Sequence, residues 1–212
     1  MMTKLYAALA AAAVMCLLAG TAGYIYLRQS QDAFAQCRDG QPVGGDIGGP
    51  FTLLDETGKT VTQDDVLAGP SLLYFGYTYC PDVCPIDAAR NAEAVDILEE
   101  QGFDVTPVFV SVDPARDTPE VLATYTDQFH PRMIGLTGTE AEVKRAAEAY
   151  KTVYQKRIQD DPEFYLMDHM TLTYLILPQR GFIDVFRRDE TADAVAQKVA
   201  CFAMVNESQQ KN

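Results

Sequence analysis

The chain has 212 residues, and its 30 acidic against 17 basic side chains give a formal net charge of −13. This acidity argues against nucleic acid as a partner, because a phosphate backbone repels a surface of the same sign. The length that remains after an apolar N-terminal segment fits one folded domain.

The first predicted element is an apolar helix. Leu5 to Leu27 are 23 consecutive uncharged residues, and about 20 mostly apolar residues suffice for a helix to cross a bilayer. With Lys4 on the cytoplasmic side, residues 1–28 are interpreted as a single-pass signal-anchor that places the rest of the chain in the periplasm. The absence of an Arg- and Ser-rich transit peptide favours a bacterial inner membrane. A cleaved signal peptide is the alternative, because small residues around Gly20 resemble a processing site.

The next segment changes from a linker to β-structure. Residues 29–50 are rich in glycine and predict a flexible linker. The runs Phe51 to Leu54 and Lys59 to Thr62 flank the turn sequence DETG, which predicts a β-hairpin at the start of the domain. Ser71 to Thr78 is apolar almost throughout, as is typical of a central strand covered on both faces.

The remaining chain alternates between strands and helices. Further strands are predicted at 105–112, 133–136, 153–158, 173–177 and 183–187, and helices after Pro85, from Thr118 to about Phe129, from Thr139 to about Tyr150 and from Thr191 to Val205. This order predicts an α/β fold with a mixed sheet over residues 51–205. A frayed polar tail is expected at 206–212.

Two cysteines follow the central strand in the sequence CPDVCP. Pro81 and Pro85 disfavour helical dihedrals at the residues before them, so Cys80 and Cys84 are both predicted to lie in a loop. That loop joins the end of a strand to the beginning of a helix, where the helix dipole favours a thiolate. Two thiolates at this spacing predict a site for a soft cation, and one added imidazole favours Cu(I).

The sequence contains two histidines, His130 and His169. His130 follows an amphipathic helix and precedes Pro131, which favours a surface or helix-end residue over a metal ligand. Taken alone, His169 at the entrance of the strand 173–177 is more often a hydrogen-bonded structural residue than a ligand. A cysteine pair in an oxidising compartment is likewise more often a disulfide. The residue types alone therefore leave the ligand set open.

Five motifs carry a family resemblance. They are GGPFTLLDETGKTVT at 48–62, LLYFGYTYCPDVCP at 72–85, VSVDPARDTPEVL at 110–122, GLTG at 135–138 and YLMDHMTLTYLILPQRGFID at 165–184. In this order they resemble the Sco/SenC family of copper proteins, which take part in cytochrome c oxidase assembly. The resemblance implies a thioredoxin-like fold with an N-terminal membrane anchor. It also implies one copper ion, Cu(I) or Cu(II), bound by Cys80, Cys84 and His169.

The resemblance implies a metallochaperone rather than an enzyme, with the copper-bearing subunit of cytochrome c oxidase as its partner. The alternative is a thiol–disulfide oxidoreductase that reduces the cysteines of that subunit through Cys80 and Cys84. A periplasmic copper donor and a periplasmic thiol reductant are expected as further partners, because an oxidising compartment tends to oxidise the two thiols. A peroxidase is the weakest alternative, because peroxide chemistry requires an arginine beside an activated cysteine and the sequence does not identify one for Cys80 or Cys84.

Three further residues have predicted roles. Asp168 is the candidate to fix the tautomer of the neighbouring His169 through a hydrogen bond, and the alternative is that its side chain points into solvent or caps a turn. Cys37 and Cys201 are expected to form a disulfide between the linker and the last helix, and the alternative is a pair of free buried thiols.

Overall fold

The computed structural model describes residues 2–29, 33–40, 45–158 and 164–210. The chain divides into two compact units, Met1–Gly40 and Gln41–Asn212. The first contains helix α1 (Met2–Gln29) and, within the predicted linker, one turn of 3-10 helix at Ala35–Cys37. Within the described ranges, no helix combines the length and the apolarity needed to cross a membrane. The transmembrane anchor therefore stays a prediction.

The second unit is built on a seven-stranded sheet. Its strands, in the order in which they lie side by side, are β2 (Thr60–Thr62), β1 (Thr52–Asp55), β5 (Ile134–Thr137), β4 (Thr106–Ser111), β3 (Ser71–Gly76), β8 (Thr173–Leu177) and β9 (Gly181–Phe186). Strands β3, β4 and β5 are parallel to one another. Strand β1 is antiparallel to its neighbour β5, and β8 is antiparallel to its neighbour β3. The predicted mixed sheet and its N-terminal β1–β2 hairpin are both confirmed.

A separate two-stranded antiparallel sheet consists of β6 (Tyr154–Ile158) and β7 (Tyr165–His169). Strand β6 agrees with the strand predicted at 153–158, whereas β7 was not predicted from the sequence. The side chains of β7 alternate, with Tyr165 and Met167 buried and Leu166 and Asp168 more exposed, as in a strand with one covered face. His169 is therefore the last residue of a hairpin strand.

The helices described in this unit are α2 (Gln63–Val66), α3 (Val83–Glu100), α4 (Pro119–Thr126), α5 (Glu140–Ala149) and α6 (Ala192–Gln210). Helix α3 packs against α6, whereas α4 contacts β5 and α5 contacts β1. Strand β3 is buried along its whole length, as its apolar sequence predicted. The capping box of Thr139 and Glu142 begins α5 as expected.

Two predictions of local structure are wrong. Helix α3 begins at Val83, so Cys84 lies in its first turn and not in the loop. Proline is tolerated at this position because the first N–H groups of a helix have no partner within it, and Pro85 therefore loses no hydrogen bond. The polar tail is also helical up to Gln210, and Asn206 is buried. Residues 211–212 lie outside the described ranges.

The topology brings three segments to one edge of the sheet. Gly76 at the end of β3 pairs with Ser111 at the end of the parallel strand β4, so the segments that follow both strands leave at the same edge. Strand β8 runs in the opposite direction, with Thr173 paired to Tyr74. The segment that precedes β8, including His169, therefore reaches this edge as well. Open α/β sheets bind ligands at the carboxyl ends of their parallel strands.

Candidate metal centre

Three side chains converge at this edge of the sheet. The sulfurs of Cys80 and Cys84 and a ring nitrogen of His169 all lie within 4.8 Å of one another, and Cys84 Sγ is 3.3 Å from His169 Nε2. Bonds of about 2.3 Å to sulfur and about 2.0 Å to nitrogen place two ligands of one ion about 3.5–4 Å apart. One ion can therefore contact all three donors with small side-chain adjustments. The structure brings together the three residues selected from the sequence.

Cys80 lies against the beginning of α3. The backbone N–H of Cys84 donates a hydrogen bond to Cys80 Sγ at 3.4 Å, whereas the N-cap residue Asp82 makes no side-chain cap. A sulfur at a helix N-terminus is stabilised as the thiolate by the dipole and by the N–H donor. A hydrogen bond with the Cys84 thiol is the largest of the effects that hold the pKa of Cys80 far below its ordinary value.

The pKa of Cys84 shifts in the opposite direction from that of Cys80. Hydrogen bonding to Cys80, together with burial, raises the pKa of Cys84 above its usual range. Two adjacent buried anions would repel each other, so the pair ionises as one thiolate at Cys80 and one thiol at Cys84. A cation bound between the sulfurs takes the place of the remaining thiol proton.

The imidazole of His169 is oriented through its Nδ1 atom. Nδ1 lies 2.9 Å from the carbonyl oxygen of Met170, and because a carbonyl only accepts, Nδ1 carries the proton. In the neutral ring the lone pair of Nε2 then faces Cys84. The rings of Tyr74 and Tyr77 meet the imidazole edge-on at centroid distances of 6.1 and 5.8 Å. The ring is therefore held in the tautomer that metal ligation through Nε2 requires.

The orienting partner is this main-chain carbonyl rather than Asp168. The Asp168 carboxylate is 56% exposed and pairs with Arg157 across the hairpin at 2.9 Å. Successive side chains of a strand point to opposite faces, so Asp168 and His169 diverge. The expectation for Asp168 differs from the structure because β7 was not recognised as a strand.

A buried polar contact behind Cys84 was not found from the sequence. The Tyr74 hydroxyl donates to Asp87 at 3.0 Å, and burial, together with the nearby Cys84, raises the pKa of Tyr74. Asp87 is 1% exposed, and Arg188 lies 3.6 Å from its second carboxylate oxygen. Burial raises the pKa of Asp87. Spacing along the chain could have indicated this contact, because Asp87 follows Cys84 by three residues and therefore lies on the same face of the helix.

Asp117 supports the cysteine loop from the segment after β4. It is fully buried, and it accepts hydrogen bonds from the Thr78 N–H at 3.0 Å and the Thr78 hydroxyl at 2.7 Å. The Ser111 hydroxyl donates to the same carboxylate at 2.6 Å. Because Thr78 precedes Cys80 by two residues, Asp117 joins the loop to β4.

The second histidine, His130, has the opposite distribution of proton and lone pair on its two ring nitrogens from that of His169. His130 is 4% exposed, so of the predicted surface or helix-end positions only the second holds, with its N–H bonded to the carbonyl oxygen of Thr126 at the end of α4. Its Nδ1 accepts the Arg132 N–H at 3.1 Å, so the proton of the neutral ring is on Nε2. That atom lies 3.3 Å from Asp96 and 3.6 Å from Glu99. An Nε2 that carries the proton and faces two carboxylates offers no lone pair to a cation, and this cluster is structural.

The remaining cysteines differ in oxidation state. Cys37 and Cys201 are disulfide-bonded, whereas Cys16, Cys80 and Cys84 are free thiols. Neither member of the predicted pair is a free thiol, so the alternative of two free buried thiols does not hold. Disulfides of this kind are typical of proteins from oxidising compartments.

Comparison with known proteins agrees with these features. The family model described as SCO1/SenC matches residues 39–204. Protein SenC from Rhodobacter capsulatus is 54% identical over 198 residues, which are 92% of this chain and 89% of that protein.

Two solved structures extend the comparison to the fold. Arabidopsis thaliana ScoI with copper bound is 39% identical, with a TM-score of 0.69 and coverage of 77% of this chain and 99% of that chain. Bradyrhizobium japonicum ScoI with copper bound is 36% identical, with a TM-score of 0.67 and coverage of 73% and 98%. These similarities confirm the thioredoxin-like α/β fold. The chain belongs to the SCO1/SenC family.

Proposed function

We propose that this protein is a copper chaperone that binds one copper ion, as Cu(I) or Cu(II), through Cys80, Cys84 and His169 and takes part in assembly of cytochrome c oxidase. The observation that carries the proposal is the convergence of two sulfurs and one imidazole nitrogen within 4.8 Å. Such donors suit copper, and a structural zinc site would require a fourth ligand. The copper-bound relatives support the choice of metal.

The site is accessible from outside the protein. Cys80 and His169 line an open cleft of about 380 Å³, while Cys84, whose sulfur is 3.3 Å from His169 Nε2, is fully buried. Ligands of a second protein can thus approach a bound ion from one side, which favours transfer over permanent storage. The proposed acceptor is the copper-bearing subunit of the oxidase. The proposed donors of copper and of reducing equivalents are periplasmic proteins.

The proposed location is the periplasmic face of a bacterial inner membrane, with α1 as the anchor. The 23 uncharged residues from Leu5 to Leu27 support attachment, and the disulfide-bonded Cys37 and Cys201 support an oxidising compartment. Alkaline carbonate extraction of cell membranes tests the anchor. The full-length protein should stay in the membrane pellet, and its release into the supernatant contradicts the assignment.

Copper binding is tested by anaerobic titration. The full-length, dithiol-reduced protein should withdraw one equivalent of Cu(I) from a chromogenic chelator, and Cys80→Ser or Cys84→Ser should abolish uptake. Cys16→Ser is the matched control, because Cys16 is a free cysteine in α1. Uptake that survives the loss of both site cysteines contradicts the proposal.

Thiol–disulfide reduction is a second candidate, favoured by the opposite pKa shifts of the two cysteines. The Cys80 thiolate would attack a partner disulfide, and Cys84 would resolve the mixed disulfide, leaving the partner reduced and Cys80–Cys84 oxidised. This chemistry does not need His169 as a ligand. In cells lacking the protein, oxidase activity restored by His169→Ala but not by Cys80→Ser favours reduction. Failure of both variants favours the chaperone.

A further inference from the structure

We propose that Arg116 is a positioning residue that fastens the β6–β7 hairpin to the cysteine loop and so holds His169 beside the two sulfurs. The inference rests on the proposed copper site. It concerns a residue that contacts none of the three ligands in the interactions described, and that therefore acts through others.

The hairpin that carries His169 is attached differently from the strand that carries the cysteine loop. Strand β3 is paired on both edges, with β4 and with β8. In the part of the chain that the structure describes, β6 and β7 pair only with each other, and β6 is largely exposed. The distance between His169 and the sulfurs consequently depends on side-chain contacts of β7 with the main body of the domain.

Arg116 makes such contacts from the segment after β4. Its guanidinium carbon lies 3.7 Å from the ring centroid of Tyr165, the first residue of β7, and its Nη1 donates to the Tyr165 carbonyl oxygen at 3.1 Å. Its Nε donates to Asp113. The other oxygen of that carboxylate accepts the Tyr165 hydroxyl proton at 2.8 Å. Arg116, Asp113 and Tyr165 thus form a closed set of contacts, which we call the Tyr165 clamp.

The same guanidinium also faces the cysteine loop. Its carbon lies 4.7 Å from the ring centroid of Tyr79 and 5.8 Å from that of Tyr77, distances within the range of cation–π attraction. Tyr79 directly precedes Cys80, and the Tyr77 ring contacts His169 edge-on. Arg116 therefore contacts both segments that carry ligands.

The chemistry of the clamp requires arginine. A planar guanidinium can stack on an aromatic ring while its N–H groups donate in separate directions, which a lysine ammonium cannot reproduce. Lys156 provides a matched comparison, because its Nζ also lies over the Tyr165 ring, 3.6 Å from the centroid. Lys156 belongs to β6, however, so its contact stays within the hairpin and cannot join it to the cysteine loop.

The test measures Cu(I) affinity of the full-length protein by competition with a chromogenic chelator. Residues that orient metal ligands typically contribute about 10- to 100-fold to affinity, and we expect a loss of this size for Arg116→Gln. Lys156→Gln should change affinity much less. Unchanged affinity in Arg116→Gln, or an equal loss in Lys156→Gln, overturns the proposal.

A double-variant cycle separates positioning from a general loss of structure. If Arg116 acts through His169, adding Arg116→Gln to His169→Ala should cause no further loss of affinity. An equal further loss overturns the proposal, because the effect would then reach the site through the cysteines or the fold. The nitrogen hyperfine coupling of bound Cu(II) supplies a second readout, and it should weaken in Arg116→Gln.

Two further variants keep the proposal testable. Tyr165→Phe removes only the hydroxyl bond to Asp113 and should give a smaller loss than Arg116→Gln, which serves if the latter fails to fold. If the Cu(I) affinity is unchanged both in Tyr165→Phe and in a folded Arg116→Lys, the proposed role of the Tyr165 clamp is overturned. If His169→Ala itself leaves affinity unchanged, the three-ligand site fails independently of Arg116.

Discussion

The two histidine clusters of this protein are similarly compact but differ in the chemistry that they offer to a metal ion. His169 lies beside Cys80 and Cys84, and His130 lies beside Asp96 and Glu99, each set with its ligand-type atoms within 4.8 Å. The difference is the partner of Nδ1. At His169 that atom donates to a carbonyl, which leaves Nε2 free to bind an ion, whereas at His130 it accepts an N–H, which places the proton on Nε2.

The comparison teaches that proximity of ligand-type groups does not define a metal site. The hydrogen bond on the far side of the imidazole decides which nitrogen has a lone pair, and that bond comes from the local main chain in both cases. The accompanying groups point in the same direction, because two sulfurs select a soft cation and two exposed carboxylates do not.

The largest expected effect is on copper affinity. His169→Ala removes a ligand and should weaken Cu(I) binding by at least about 100-fold, the upper range for residues that only orient ligands. His130→Ala, its matched control, should leave affinity nearly unchanged because its Nε2 is protonated. Chelator competition measures both. Equal losses in the two variants contradict the distinction between the clusters.

The next effect concerns the ionisation of the sulfurs. Because the folded pKa of Cys80 is lowered, its thiolate should persist as the pH falls, and iodoacetamide should modify it at pH 6, well below an ordinary thiol pKa of about 8.5. Cys84, with a raised pKa, should stay unmodified. Peptide mass spectrometry at several pH values measures the profile.

A matched variant identifies the cause of this ionisation. Cys84→Ala removes the largest stabilising hydrogen bond of the Cys80 thiolate, so the pH midpoint of Cys80 alkylation should rise. An unchanged midpoint would assign the low pKa to the helix N-terminus alone.

The free energy of unfolding should depend more on His130 than on His169, the opposite of the order expected for copper affinity. His130→Ala leaves the buried acceptor position of the Arg132 N–H empty and removes the imidazole beside Asp96, and it should lower the free energy of unfolding by about 1–3 kcal/mol. His169→Ala should cost less in the copper-free protein, because only its Nδ1 is bonded to the main chain. Urea denaturation of the reduced proteins measures both. A larger loss at position 169 contradicts the structural role assigned to His130.

The smallest expected effect is at Asp168. Its ion pair with Arg157 is more than half exposed, and such pairs contribute about 0–1 kcal/mol. Asp168→Asn should therefore change the free energy of unfolding little, and it should reduce Cu(I) affinity far less than His169→Ala. A loss comparable to that of His169→Ala would show that the carboxylate, and not the Met170 carbonyl, controls the imidazole.

Much of the fold could be predicted from local patterns. The strand at 173–177, the capping box at Thr139 and the β1–β2 hairpin follow from short-range rules of apolarity, capping and turn chemistry. Strand β7 was not predicted because its first three residues are all apolar or aromatic. The alternation between its two faces therefore becomes visible only when the burial of each side chain is known. The helical position of Cys84 was not predicted because proline, which breaks the interior of a helix, is tolerated in the first turn.

The sequence by itself determined the family resemblance through five motifs in order and, through that resemblance, the three candidate ligand residues. It also determined most of the strands and helices, although not β7, because motifs and local patterns depend on residue types and on spacing along the chain. The tertiary structure decided the tautomers of His169 and His130, the opposite ionisation of Cys80 and Cys84, and the contacts of Arg116. Each of these depends on which polar group faces which across the fold. Proton positions and side-chain orientations are set by such neighbours, and residues far apart in the sequence become neighbours only when the sheet is assembled.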